Sequence, residues 1–325
     1  MPKDRRITRR RALQGGLAAG AALLTVRPTA ADETPATRPA GLGFAADGKQ
    51  YAFDTGALRG TLRFEGRSLG LTPIVDVQSA AAIAGGHGLF SHYRLLDAET
   101  RYGHGAWDWP STARLLPGGA VEANWKADAE HPFDMRAVYR FTAPGVFDVT
   151  TSVVPRRDLR RLEVFLASYF HGFATSRVYV KGHAETGGKP GFLEAKRSMA
   201  VWQMFPRDEA AAKIITDGRW RRPPNPVDWK IMPALAMPLA MRRDAASGMT
   251  ALVMAPPEDC FAISTPFSGE GHRSLYLSLF GRDVAAGQTA TTRSRLLIGR
   301  EISDERAVAL CEEYVKELGR DGGSR

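Results

Sequence analysis

Cysteine is almost missing from this sequence: Cys260 and Cys311 are the only two in 325 residues. That scarcity excludes a disulfide-stapled miniprotein, and without CxxCH or a ferredoxin-like cysteine run neither attached haem nor an iron–sulfur cluster is expected. Long hydrophobic runs are missing too. The apolar stretch from Leu17 to Val26 is shorter than the roughly 20 residues a bilayer span needs, so no membrane span is expected in the mature chain. Concentrated basic charge is lacking outside the N-terminus. The formal net charge is +9, but residues 1–31 hold seven of the 44 basic residues and one of the 35 acids, leaving 37 against 34 in the rest. A body so nearly balanced offers no basic face for a phosphate backbone, and nucleic-acid binding is not expected. There is no dinucleotide-type glycine fingerprint and no Gly-x-Ser-x-Gly, and Cys260 has no adjacent base in sequence. Cofactor binding and serine or cysteine nucleophile chemistry are therefore not expected.

What is present begins with an export-like leader over residues 1–31. A basic run ends in Thr8-Arg9-Arg10-Arg11-Ala12-Leu13-Gln14. The weakly apolar stretch follows, and then Pro28-Thr29-Ala30-Ala31, whose small residues suit signal peptidase. The paired arginines resemble a twin-arginine export signal, which implies a periplasmic or extracellular protein. Residues 32–48, rich in Pro, Ala and Thr, read as a linker. In an oxidising compartment the two cysteines leave open either a disulfide or, with Cys311 on the apolar face of a helix, buried thiols.

Beyond the linker, strand signals dominate, and 44% hydrophobic residues suffice for a core. Met135, Ala137, Tyr139 and Phe141 alternate on one face, Ala143-Pro144-Gly145 turns the chain, and Phe147, Val149, Thr151 and Val153 alternate on the return: a hairpin. Leu162–Phe170 is apolar on both faces, as a strand between two layers is. Val178–Lys181, Met249–Met254, Phe261–Thr265, Ser274–Phe280 and Thr289–Ile298 continue the series. Helical signals are few. Asp208–Thr216 suits a short helix. Ser303-Asp304-Glu305 reads as an N-cap, Val308, Cys311, Val315 and Leu318 share a face, and Gly319 is the expected stop. The expected fold is all-β: one large antiparallel β-sandwich over residues 49–300, closed by a helix and tail over 301–325. The absence of an internal repeat weighs against a propeller.

Six stretches carry a resemblance: Gly88-Leu-Phe-Ser-His-Tyr-Arg94, Ala106-Trp-Asp-Trp-Pro110, Glu163-Val-Phe-Leu-Ala-Ser-Tyr-Phe170, Val201-Trp-Gln-Met-Phe-Pro-Arg-Asp208, Ala255-Pro-Pro-Glu-Asp-Cys260 and Gly271-His-Arg-Ser-Leu-Tyr-Leu-Ser-Leu-Phe-Gly281. Over residues 50–318 the chain resembles an exported bacterial family associated with the galactose-mutarotase-like supersandwich. The resemblance implies a twisted sandwich whose concave face holds carbohydrate. The sequence departs from true aldose epimerases in lacking their paired His motifs and glutamate context.

Three segments carry the candidate chemistry. The densest, His87 to Ser111, sets His87, His92, His104, Tyr93, Tyr102, Arg94, Arg101, Asp108, Trp107 and Trp109 among glycines. Sugar faces stack on aromatic rings while hydroxyls need directed donors and acceptors, and Trp107-Asp108-Trp109 supplies both; equally, one Trp could plug the sandwich while Asp108 caps a turn. His92 and Tyr93, at the end of a short strand Gly88–Phe90, are candidate base and proton donor, or a hydrogen-bonded structural pair. No metal is expected: His87 and His92 lack helical ligand spacing and a flanking carboxylate, although calcium on backbone oxygens would leave no trace. In the second segment Arg197, Trp202, Gln203 and Arg207 could hold hydroxyls or a uronate carboxylate, or Arg207 and Asp208 could pair at a helix start. The nearby loop Arg219 to Trp229, Pro-rich and aromatic, could rim a saccharide groove or merely connect. The third contains Glu258, Asp259, His272 and Tyr276. Three functions follow. A carbohydrate-active enzyme (lyase, hydrolase or epimerase) would bring His92, Asp108, Arg207 and Glu258 or His272 into one cleft. A binding protein would show aromatics and amides without a paired acid and base. An envelope-associated structural protein would scatter them.

Overall fold

The computed structural model describes residues 41–64 and 68–322. The export leader and most of the expected linker lie outside them. The described residues build three sheets. Phe44–Asp47, Gln50–Asp54, Leu58–Phe64 and Ser68–Asp76 form an antiparallel meander. A nine-stranded antiparallel sheet runs in the order Gly191–Glu194, Thr175–Val180, Leu235–Asp244, Met249–Met254, Ala290–Arg300, Val146–Pro155, Phe133–Ala143, Val121–Trp125, Thr112–Leu115. The third sheet has six strands, ordered Lys230–Ile231, Trp202–Pro206, Cys260–Pro266, Ser274–Val284, Leu159–Tyr169, Ser91–Leu96, with only the first pair parallel.

Strand periodicity explains which side chains meet. In Phe133–Ala143, Phe133, Met135, Ala137, Tyr139 and Phe141 are buried while Arg136 and Arg140 stay outside. The hairpin expected there is found, with Phe141 opposite Phe147. Its turn needs a glycine: a Cβ on Gly145 would stand 2.3 Å from the Ile298 carbonyl oxygen. The strand Leu159–Tyr169 is buried on both faces from Leu162 onward, as expected of Leu162–Phe170. Val164 and Leu166 join the main interior cluster, whereas Phe165, Ala167 and Tyr169 join a second cluster on the outer face of the six-stranded sheet.

The C-terminal helix, Asp304–Gly322, covers the outer face of the nine-stranded sheet, with Ala307, Cys311 and Tyr314 against Leu239, Met241, Leu252 and Met254. Ser303 caps it as expected, its Oγ accepting from the Arg306 N–H at 3.1 Å. Arg295 of the sheet binds both Asp148, at 2.7 and 2.8 Å, and Glu317 of the helix. Both cysteines are buried free thiols, each pushed up to about 12 by burial.

Three expectations need correcting. The helix runs past Gly319, which its neighbours carry in helical geometry at modest cost. The linker ends sooner than residue 48, because Phe44–Asp47 is a strand whose Phe44 ring packs 5.7, 5.2 and 6.2 Å from Phe53, Phe141 and Phe147. Gly88–Phe90 is not a strand: Leu89 forms one isolated bridge to Leu71, and the strand begins at Ser91. Phe44→Ala should cost about 3–5 kcal/mol in denaturant unfolding, as loss of a core Phe does; the near-zero change expected of a linker residue would show that this segment does not belong to the core.

Candidate functional site

The outer face of the six-stranded sheet carries an aromatic floor. Phe165 stacks on Tyr276 at 4.6 Å between centroids, and Tyr169 meets Tyr276 edge-on at 5.8 Å. Burial raises the pKa of both phenols, so at neutral pH they are protonated donors.

One wall is the segment that follows the short helix Glu209–Ile215. Asp208 caps that helix by accepting from the Ala211 N–H at 2.8 Å. Arg219, with no exposed surface, then pins the chain to the sheet. Its Nη1 donates to Glu163 Oε2 at 3.2 Å and to the Arg161 carbonyl at 2.9 Å, and its Nη2 to Asp217 Oδ2 at 3.0 Å. Burial works against the guanidinium charge, but the attraction of Glu163 and Asp217 outweighs it and the Arg219 pKa is raised. Next to this anchor, Trp220 packs edge-on against Phe165 at 4.7 Å and Trp229 against Trp220 at 5.5 Å. Trp202 and His272 extend the wall, their rings 5.4 Å apart. His272 Nδ1 lies 2.8 Å from Glu270 Oε1. Tyr93, Arg94 and the chain at Asn225 to Val227 complete a cavity of about 270 Å³ with no Asp or Glu in its lining.

The placement of Tyr93 and Arg94 depends on a β-bulge. Opposite the strand Ser91–Leu96, Phe165 pairs with Arg94 and Leu166 with His92, so Tyr93 is an extra residue. Alternation would put His92 and Arg94 on one face; the bulge separates them. Arg94 turns outward beside Phe165. His92 turns into the interior, fully buried, with Nδ1 3.2 Å from Tyr139 Oη and Nε2 2.9 Å from Thr151 Oγ1. Burial lowers its pKa to about 3. A histidine sealed between sheets cannot reach a ligand in the cavity, which corrects its expected catalytic place.

The expected single cleft is therefore only partly formed. Tyr93, Trp202, His272 and Tyr276 line the cavity. Trp107 supports it from behind, stacked on Tyr93 at 4.1 Å and on His87 at 5.2 Å. Asp108 accepts from the Trp107 indole at 3.1 Å and lies 3.2 Å from His104, outside the lining. Trp109 is buried beside His131 at 3.9 Å, so it serves packing. Gln203 points inward, donating to the Lys196 and Ala200 carbonyls at 2.8 and 2.9 Å. Arg197 lies over Phe267 at 5.4 Å. Arg207 pairs with Asp208 at 2.8 Å and donates to the Pro257 and Glu258 carbonyls, the helix-start pairing left open by the sequence. Glu258 lines a different, larger cavity of about 530 Å³ over the nine-stranded sheet. Two carboxylates of that larger space are already paired, Asp148 with Arg295 and Asp259 with Arg282. The sequence flagged Trp220 and Trp229 as a possible rim; it gave no sign of Phe165 and Tyr169 as floor, since a strand apolar on both faces does not say which face is the site.

No protein-family model matches the chain, and no curated protein matches it in sequence. Solved structures do. The α-N-acetylgalactosaminidase NagBb of Bifidobacterium bifidum, as a quadruple mutant, superposes with a TM-score of 0.52 at 14% identity, covering 83% of this chain and 39% of that one. A putative aldose 1-epimerase from Escherichia coli K12 matches at 0.42 and 11%, covering 80% and 99%. A galactose mutarotase-like protein from Lactobacillus casei ATCC 334 matches at 0.42 and 9%, covering 80% and 100%. At such identities the likeness concerns fold alone. The large antiparallel sandwich with a C-terminal helix is the fold class expected from the sequence and the one found.

Two outcomes are expected. His92 binds its proton in the unfolded chain near pH 6.5 but in the folded chain only near pH 3. Its contribution is whole above pH 6.5 and falls away as pH drops toward 3, by up to about 1.4 kcal/mol per pH unit. His92→Gln should flatten unfolding free energy against pH between 6 and 4 relative to wild type; equal slopes would show that the folded chain protonates His92. Glu163→Ala, which strips Arg219 of a buried partner, should cost about 3–5 kcal/mol in denaturant unfolding monitored by tryptophan fluorescence.

Proposed function

We propose that this chain is an exported carbohydrate-active protein and that the aromatic cavity is its saccharide site. The observation that supports this reading is the set of rings and donors gathered there. Tyr93, Phe165, Trp202, Trp220, Trp229 and Tyr276 offer faces and edges for the apolar side of a sugar, while indole, phenol and guanidinium N–H and O–H groups stand ready for its oxygens. The paired arginines at Arg9 and Arg10, ahead of a short apolar stretch, support export.

The chemistry that fits is proton transfer. Glu270 orients His272 through Nδ1, which leaves Nε2 to take or give a proton. Tyr169 and Tyr276, held protonated by burial, can hydrogen-bond sugar oxygens, while His272 is the group that moves the proton. That set suits epimerisation or β-elimination. Glycoside hydrolysis by two carboxylates is disfavoured, because Asp108 and Glu258 lie outside the lining and no other acid is in it. The same lack of a lining carboxylate favours one second reading, a saccharide-binding protein without turnover.

The test is a panel of monosaccharides and polysaccharides scored for binding by calorimetry, for unsaturated product by absorbance and for epimers by NMR. Trp229→Ala should weaken binding by about ten-fold. His272→Ala should leave binding in place and lower kcat by about 10²-fold or more. Binding without turnover by wild type would select the second reading, and no binding to any saccharide would overturn both.

A further inference from the structure

Arg94 is 4% exposed and has no carboxylate partner among the described residues. Its Nη2 donates to Tyr93 Oη at 3.3 Å and to the Asn225 carbonyl at 2.9 Å. Nε and Nη1 are buried and have no hydrogen-bond partner, so three of the five N–H groups a guanidinium carries have no acceptor. The group lies between two rings, its central carbon 4.9 Å from the Tyr93 centroid and 5.0 Å from that of Trp220. Ring faces favour a cation, but they do not replace the oxygen acceptors it has left in water. Two more donors of the same wall, the Trp220 and Trp229 indole N–H groups, are likewise buried without acceptors.

The surroundings add positive charge rather than cancel it. Arg101, spent on the carbonyls of Gly103, His104, Arg222 and Pro224, has its pKa lowered to about 10 by burial and then by the charge of Arg94, with Tyr93 partly offsetting both. A cavity with a buried unpaired cation, donors in surplus and no lining acid is complete only when an anion enters it.

We propose that the saccharide taken by this cavity is anionic, and that Arg94 receives its charged oxyacid group while the sugar ring packs against the tryptophan wall. This rests on the reading of the cavity as a saccharide site. A uronate carboxylate, a sulfate ester and a phosphate ester share the required chemistry: several oxygens with a negative charge, matched to a guanidinium fork.

The experiment is a calorimetric comparison on the full mature chain. The probes are galacturonate and glucuronate oligosaccharides, the same oligosaccharides as methyl esters, galactose and glucose 6-sulfates and 6-phosphates, and the neutral parent sugars. At least one anionic probe should bind about ten-fold or more tightly than its neutral counterpart, with the advantage shrinking as salt is raised. Which arm shows it identifies the oxyacid. Arg94→Met should abolish the difference between each acid and its neutral counterpart, and a difference that persists in the folded variant would overturn the place given to Arg94. The wild-type comparison of each acid with its own ester or parent needs no variant, so it stands even where Arg94→Met fails to fold. Equal affinity for charged and neutral forms overturns this proposal and leaves the saccharide reading intact. Silence from every sugar overturns both.

Discussion

Arg219 holds the cavity together. A sheet whose two faces are both apolar must have its outer face covered, and here the cover is an irregular, proline-rich segment with little secondary structure to fix it. A guanidinium buried between Glu163 and Asp217 supplies the missing constraint: it has five donors in a rigid plane, and leaving any of them unpaired under the segment is costly. Because Glu163 belongs to the strand that also carries Phe165 and Tyr169, the anchor fixes the wall relative to the floor. Trp220 is adjacent in sequence to the anchor and meets Phe165, two residues along that strand from Glu163.

A second constraint acts across the cavity. The bulge at Tyr93 breaks the two-residue period, sending His92 inward and Tyr93 and Arg94 outward. Arg94 then reaches the far wall through the Asn225 carbonyl. The two arginines thus do opposite things with one functional group. Arg219 is satisfied by carboxylates and carbonyls and acts as structure. Arg94, partly satisfied and ringed by aromatics, keeps N–H groups that meet no acceptor among the described residues.

Much of the architecture could be read from local pattern. Alternation in Phe133–Ala143 and Val146–Pro155, the turn at Gly145 and the Ser303 cap are all set by residues within a few positions of each other, and all are found. The first four strands were harder to read. Pro73 and the glycines at 60 and 70 interrupt their apolar rhythm, and their order is imposed by partners such as Phe141 and Phe147, far along the chain. Among candidate site residues, Tyr93, Trp202, His272 and Tyr276 could be singled out because aromatic and titratable side chains near strand ends are unusual enough to notice. Glu163 could not be given its role, since its partner Arg219 lies 56 residues away.

The sequence alone therefore determined an exported-type leader as an expectation, an all-β body, its closing helix and a pool of polar and aromatic residues from which a site could be drawn. Those are properties of composition and short-range period, which propagate along the chain. Tertiary structure decided which members of that pool share a space, because one inserted residue in a strand reverses the facing of its neighbour, and because a buried charge chooses its partners by distance in three dimensions rather than by separation in sequence.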